Sequence, residues 1–329
     1  MVSLVSLVSF VLVACRRGPE ASSIRIAIGG QNQLIYLPTT LAQELGFYRD
    51  EGLTIELQDL AGGSKALEAL LGGSADVVSG FYDHTIQMAA DGRELVAFVT
   101  MLRFPGLVLV TSPQAADSLR SIADLRGRVA GVTTAGSSSQ MLLTSMLRKN
   151  GVSPDAVSIT AIGSAATAIA AIEHGKVDAG MMADPAFALV ARRNPTVRVL
   201  ADLRTAEGVK AALGLTAYPA SVLYSKGEWV RSHRDAAAGL ARAIRRTLEW
   251  MATQTPQQIA DRTPATFRGE DAAVYTEALK GSLTMFSPDG VMPADGPEGV
   301  RRLLSESMEK VRQATIDLSR TYTNEFVSR

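Results

Sequence analysis

The pattern that most restricts how this chain can fold is a strand–helix–glycine unit that runs through once and then starts again. Leu67, Ala69, Leu70, Gly73 and Asp76 return as Ile169, Ala171, Ile172, Gly175 and Asp178, at the same spacing and 102 residues further on. Both copies read as an apolar helix, a glycine stop and a strand that opens on aspartate. Five matched positions fit either a repeated unit or the generic grammar of βα proteins. Around the first copy, "SIRIAIGG" alternates Ile24, Ile26 and Ile28, and "LTIELQDL" alternates Leu53, Ile55 and Leu57, each at strand period. Between them Pro38 suits the first turn of a helix and Gly46 its end. "ADVVSG", "LVAFVTML" and "GLVLVTS" add further strands. Around the second copy "RVAGVT", "AVSITAIG", "VDAGMM" and "VRVLADL" are strands separated by helices.

Strands that alternate with helices specify an α/β fold whose sheets are mostly parallel and flanked by helices. "AYPASVLYS" reads as a strand returning to the first unit, and from Trp229 the chain is helical with breaks at Pro256, Pro264, Pro288 and Pro293. Those C-terminal helices have no counterpart in the middle unit. The expected organisation is therefore a first lobe of residues 24–110 plus 215–329 and an inserted second lobe of residues 111–214, joined by two crossings that act as a hinge.

Composition enters through exclusion. The chain carries 33 basic and 33 acidic residues, so no charge excess points to a nucleic acid partner. Beyond the N-terminus no apolar run reaches the roughly 18 residues that span a bilayer. Residues 4–14 are apolar and dotted with serine, which suits a secretory signal, and "LVAC" sets Cys15, the only cysteine, at its end. Aliphatic and small residues before a cysteine resemble the bacterial lipobox, where the thiol carries a diacylglyceryl group. No Lys or Arg stands before Arg16, as a signal usually requires. The other reading of Cys15 is a buried free thiol in an N-terminal helix. The expectation is a signal over 1–14, lipidation at Cys15, a tether over 15–23 and an extracytoplasmic body held at a membrane surface.

The chain resembles the type II substrate-binding proteins of ABC importers, in the branch for aliphatic sulfonates, taurine, nitrate and thiamine-pyrimidine precursors. The residues that carry the likeness are "LAQELGFYRDEGLTIEL" (41–57), "GGSKALEALLGGSADVVSG" (62–80), "SIADLRGRVAGVTTAGSSSQMLL" (121–143), "NGVSPDAVSI" (150–159) and "AAIEHGKVDAGMMADPAFAL" (170–189). The resemblance implies a two-lobed Venus flytrap that closes on a small ligand, an ABC permease as partner, and a monomer. In such open α/β sheets ligands sit beyond the carboxyl ends of the strands, where helix N-termini favour anions.

"TTAGSSSQ" is the strongest candidate loop, with Thr134, Gly136, Ser137 and Ser138 opening a helix. Serine there either binds a ligand oxygen or merely caps the helix. Gly63 and Ser64 form the equivalent turn in the first lobe. "SGFYDH" offers Phe81 and Tyr82 for stacking and Asp83 and His84 for polar contacts, against the alternative of core aromatics and a solvated loop. Gln33 and Tyr36 follow the first strand, Arg103 and Phe104 precede the first crossing, and Tyr218 lies at the return. Met182 and Asp184 follow a second-lobe strand, where the resemblance implies an acidic residue and a proline. Two acids, Asp83 and Asp184, would suit a nitrogen-bearing ligand better than a bare anion. Catalysis finds little support: His84, His174 and His233 are scattered, no second cysteine exists, and no metal-ligand spacing appears. No cofactor is expected. The function expected is capture of a small polar or anionic ligand, such as a sulfonate, nitrate or a pyrimidine, for an ABC importer. The alternatives are an enzyme on the same fold, acting on a pyrimidine precursor or organosulfur compound, and a ligand-sensing lobe of a signalling protein.

Overall fold

A computed structural model describes residues 23–269 and 271–328. The signal segment, Cys15 and the tether up to residue 22 lie outside the described residues. The strands are β1 (Ile24–Ile28), β2 (Ile55–Asp59), β3 (Val77–Phe81), β4 (Leu95–Thr100), β5 (Leu107–Thr111), β6 (Val129–Val132), β7 (Ser158–Ala161), β8 (Ala179–Ala183), β9 (Val199–Asp202) and β10 (Ser221–Lys226). They form two five-stranded sheets, ordered β2-β1-β3-β10-β4 and β7-β6-β8-β5-β9. In each sheet three neighbouring strands run parallel. A reversed strand follows, β10 or β5, antiparallel to both of its neighbours. Four of the five strands in each sheet thus point the same way, with helices on the faces.

Both crossings enter their sheets as the reversed strand. The first change of sheet falls between Thr100 and Leu107, upstream of the 110/111 boundary read from the sequence. The run Leu107–Val110 in "GLVLVTS" is apolar without alternation, so it suits either sheet; its hydrogen bonds to β8 and β9 put it in the second. β3, β5 and β8 are buried along their whole length. Central strands covered on both faces carry continuous apolar runs in place of alternation.

The repeated pattern has a physical basis. The helices Gly63–Gly72 and Ala165–Glu173 are each followed by a glycine with positive φ, Gly73 at +80° and Gly175 at +62°. That left-handed turn reverses the chain into the next strand and costs a glycine little. The aspartate then ties the strand to the one that opened the unit. Asp76 Oδ2 accepts the Arg25 N–H at 2.9 Å, and Asp178 Oδ2 accepts the Val129 N–H at 2.8 Å. Each also pairs with an arginine, Arg25 at 2.7 Å and Arg128 at 3.5 Å.

The C-terminal helices do more than cover the first lobe. Helix Ala272–Ser282 packs against Ala186–Arg193 of the second lobe, and Gly296–Ser307 packs against Ser138–Lys149.

Candidate functional site

The carboxyl ends of β1, β3, β6 and β8 lead into loops that meet where the two lobes touch. A small cavity of about 20 Å³ lies there, lined among others by Gln33, Tyr36, Gly63, Ser137 and Ser138, with room for about one water molecule. The lobes are closed on each other. Ser64 and Thr134 share a hydroxyl–hydroxyl hydrogen bond of 2.9 Å across the seam. Ser138 Oγ donates to Asp83 Oδ1 at 2.7 Å, also across the seam, and Tyr218 OH donates to Asp83 Oδ2 at 2.8 Å. The Leu34 N–H donates to the Asp184 carbonyl at 2.8 Å.

The loop after β6 is built from mutual hydroxyl contacts. Ser137 is the N-cap of helix Ser138–Lys149, yet its side chain does not cap. Its hydroxyl donates to the Thr134 carbonyl at 2.7 Å and lies 2.8 Å from Ser139 Oγ. The first amides of a helix have no intrahelical partner, so this end keeps donors for other uses.

The two acids read from the sequence occupy different electrostatic settings. Asp184 is buried and follows β8, before a cis bond to Pro185. Arg204 Nη1 donates to it at 2.9 Å and Ser282 Oγ at 2.8 Å, and Arg204 also grips Asp202. Burial raises the Asp184 carboxyl while Arg204 opposes that rise. Asp83 is fully buried, but its partners are the two hydroxyls, and it makes no ion pair among the described residues. Its charge is felt around the seam: burial and then Asp83 raise both Tyr36 and Tyr218.

His84 is equally buried and lies 3.2 Å by Nδ1 from Tyr224 OH. Its Nε2 is buried with no partner in hydrogen-bond geometry. Burial lowers its pKa, opposed by the Asp83 carboxylate and the Gly136 backbone. The ring sits beside Gly63, where a Cβ would come within 3.3 Å of Cε1. No cluster of three or more metal-ligating side chains occurs among the described residues, and no helix there is long and apolar enough to cross a membrane.

The family pattern described as NMT1/THI5 like matches residues 35–259, a span that runs from the first helix through the whole second lobe and past β10. The chain belongs to the NMT1/THI5-like family. A solved structure from Bordetella bronchiseptica RB50 is 34% identical, covers 93% of this chain and 95% of its own, and superposes with a TM-score of 0.88. The alkanesulfonate-binding protein SsuA from Xanthomonas axonopodis pv. citri, bound to MOPS, is 20% identical with a TM-score of 0.73, over 92% of this chain and 98% of that one. The periplasmic nitrate-binding protein NrtA from Synechocystis PCC 6803 is 13% identical with a TM-score of 0.67, over 93% of this chain and 87% of that one. These two likenesses show the same two-sheet fold.

In this NMT1/THI5-like chain the seam gathers Gln33, Tyr36, Gly63, Ser64, Asp83, His84, Thr134, Gly136, Ser137, Ser138 and Tyr218. Phe81 is buried against Tyr36, ring centroids 6.4 Å apart, and Phe104 is buried in the large core. Three other expected residues point elsewhere. Tyr82 turns toward the C-terminal segment, its hydroxyl 2.5 Å from Thr321 Oγ1. Met182 faces the second lobe's small core with Val108 and Val190; the period of two along β8 decides its side. The Arg103 side chain is exposed, and its backbone alone serves the crossing, donating to Met285 and accepting from Tyr218. Asp184 is held by Arg204 and Ser282 beside the seam. Sequence reasoning missed Arg204, Ser282 and Tyr224, which reach these positions only through tertiary packing.

Proposed function

We propose that this chain is an extracytoplasmic solute-binding protein that holds a small polar ligand between its lobes and delivers it to the permease of an ABC importer, acting as a monomer. The reading extends to a signal over residues 1–14 and a lipid anchor on Cys15. One observation carries the ligand role: loops from both lobes meet in a buried seam where hydroxyls and the Gln33 amide line a small cavity, with the Asp83 carboxylate behind Ser138 and the His84 ring behind Gly63. Buried polar groups are normally satisfied, so such a seam suits a guest that completes it when the lobes part and close again. Closure on a ligand is then stabilised by the contacts made only in the closed state. The solved relatives that bind an alkanesulfonate and nitrate support the same role here. An enzyme on this fold would want an acid bonded to His84, whereas that ring reaches Tyr224 instead.

A thermal-shift screen of the full chain against sulfonates, nitrate, pyrimidines and amino-acid-like compounds tests the reading. A ligand that raises the melting temperature and shrinks the particle in small-angle scattering is expected. The double change Ser137→Ala with Ser138→Ala should weaken that ligand by about tenfold or more, equivalent to about 1.4 kcal/mol. A blank screen with no change of shape would overturn the proposal, and unchanged affinity in the double variant would remove this loop from the site.

A further inference from the structure

The chain leaves the first lobe again after Thr253. Helix Arg234–Thr253 packs on the first-lobe helices Leu37–Glu44 and Phe47–Asp50, whereas helix Ala272–Ser282 packs on Ala186–Arg193 of the second lobe. Between them Gln254 and Thr255 are extended, with ψ of 153° and 156°, and Thr253 and Thr255 are exposed. Thr255 then caps a new helix, Pro256–Arg262, which packs on Ala272–Ser282 to complete a helical hairpin. Short exposed links of this kind are where one body ends and another begins. The far end of the hairpin is held by charge. Ser282 Oγ donates to Asp184 Oδ2 at 2.8 Å, the oxygen that also accepts from Arg204 Nη1 at 2.9 Å. Arg204 is fixed in turn to Asp202 of β9. The hydroxyl thus joins a buried ion pair that belongs to the second lobe, and a hydrogen bond to a charged group is a strong one.

Just beyond Ser282 the chain runs beside the first crossing. The Arg103 N–H donates to the Met285 carbonyl at 2.8 Å, and the Ser287 N–H to the Met101 carbonyl at 2.7 Å. On the other side of the same crossing, the Ala220 N–H donates to the Leu102 carbonyl and the Tyr218 N–H to the Arg103 carbonyl, each at 3.0 Å. The first crossing is therefore flanked by an extended segment on each side. The chain is back on the first lobe at Gly290, whose carbonyl accepts from the Thr100 N–H at 2.7 Å.

We infer that the hairpin of residues 256–282 moves with the second lobe, and that the lobes turn about three adjacent segments, 101–103, 218–221 and 285–287, instead of two crossings alone. The inference rests on the parting of lobes that the solute-binding reading requires, and on nothing about the ligand. Atoms next to a hinge are displaced least, so the hydrogen bonds among the three segments survive the rotation. Opening bends the chain at Gln254–Thr255 and keeps Ser282 on Asp184. It draws helix Gly296–Ser307 away from Ser138–Lys149, because Gly296–Ser307 is also packed on the first-lobe helix Asp83–Ala90. A hairpin fixed to the first lobe would instead strip Ser282 from a buried carboxylate at every opening.

Pulsed electron paramagnetic resonance on the full chain, with Cys15→Ser, tests this. Nitroxide labels go in pairs on the exposed positions Glu68→Cys of the first lobe, Lys210→Cys of the second and Glu277→Cys of the hairpin. Gly62→Trp wedges the seam apart beside Thr134, and Gly62→Ala takes its place if circular dichroism shows that the larger side chain prevents folding. The wedge should lengthen the 68–210 distance by more than about 2 Å, shift 68–277 and leave 210–277 unchanged. A shift in 210–277, or three unchanged distances, overturns the inference; the ligand screen alone judges the solute-binding reading in either case. Ser282→Ala adds a readout that needs no wedge. Hydrogen exchange should quicken several-fold in residues 272–282 and stay as in the wild type in residues 134–140 of the seam. Exchange that quickens in both places would make the hairpin a latch between the lobes, and exchange unchanged in 272–282 would mean that Ser282 does not hold it; each result overturns the inference.

Discussion

At the scale of single residues, His84 gives the clearest dependence on pH. Burial holds its folded pKa below the ordinary 6.5. The unfolded chain therefore takes up a proton near pH 6.5, while the folded chain does so only at lower pH. The neutral ring contributes stability that is fully present above about pH 6.5 and is lost as pH falls toward the folded value. Melting temperatures measured between pH 7.5 and 5 should decline in the wild type and decline less steeply in His84→Gln. Parallel curves for the two proteins would show that the ring does not titrate as its burial requires. Asp83 and His84 were readable in "SGFYDH" as candidates. Their partners Ser138, Tyr218 and Tyr224 stand 55, 135 and 140 residues away along the chain, so no local pattern could reveal them. Tyr82 and Met182 failed as cleft residues for a related reason. Near the end of a strand, one residue decides whether a side chain meets the seam or the core.

At the scale of elements, the aspartate that opens β3 and β8 acts as a clip between two strands of one unit. Its carboxylate takes a backbone N–H from the unit's first strand and an arginine from the same place. A hydrogen bond to a charged group is worth about 1.5–3 kcal/mol. Asp178→Ala should lower unfolding stability by about that amount, and Asp76→Ala by a similar one, as read from urea denaturation midpoints. The losses should add in the double variant, because the two clips belong to different sheets. A double variant no weaker than either single one would show that the two do not act independently. The repeat seen in the sequence is thus more than similar hydrophobicity: helix, left-handed glycine and clip recur because each unit solves the same closure problem.

At the scale of the whole molecule, function depends on how closely the lobes approach. Gly62 belongs to the first lobe, and a Cβ there would fall 2.5 Å from Thr134 Oγ1 and 2.8 Å from its Cγ2 in the second. Its φ of 166° is extended backbone that alanine adopts freely, so Gly62→Ala burdens only the closed arrangement. Small-angle scattering should report a larger radius of gyration for this variant, and ligand affinity should drop by about tenfold, since closure would cost about 1.4 kcal/mol more. A variant as compact as the wild type would mean that Thr134 yields without opening the seam. By itself the sequence determined two α/β units, the succession of strands and helices along the chain, the glycine stops and the loops that carry polar residues, because periodicity and turn chemistry are local properties. Only the tertiary structure decided which sheet receives β5, that C-terminal helices brace both lobes, and that Asp184 is neutralised by Arg204 while Asp83 has hydroxyls alone. Those outcomes depend on contacts between residues far apart in the chain, where burial and charge pairing are set by packing and leave no trace in the spacing of the residues themselves.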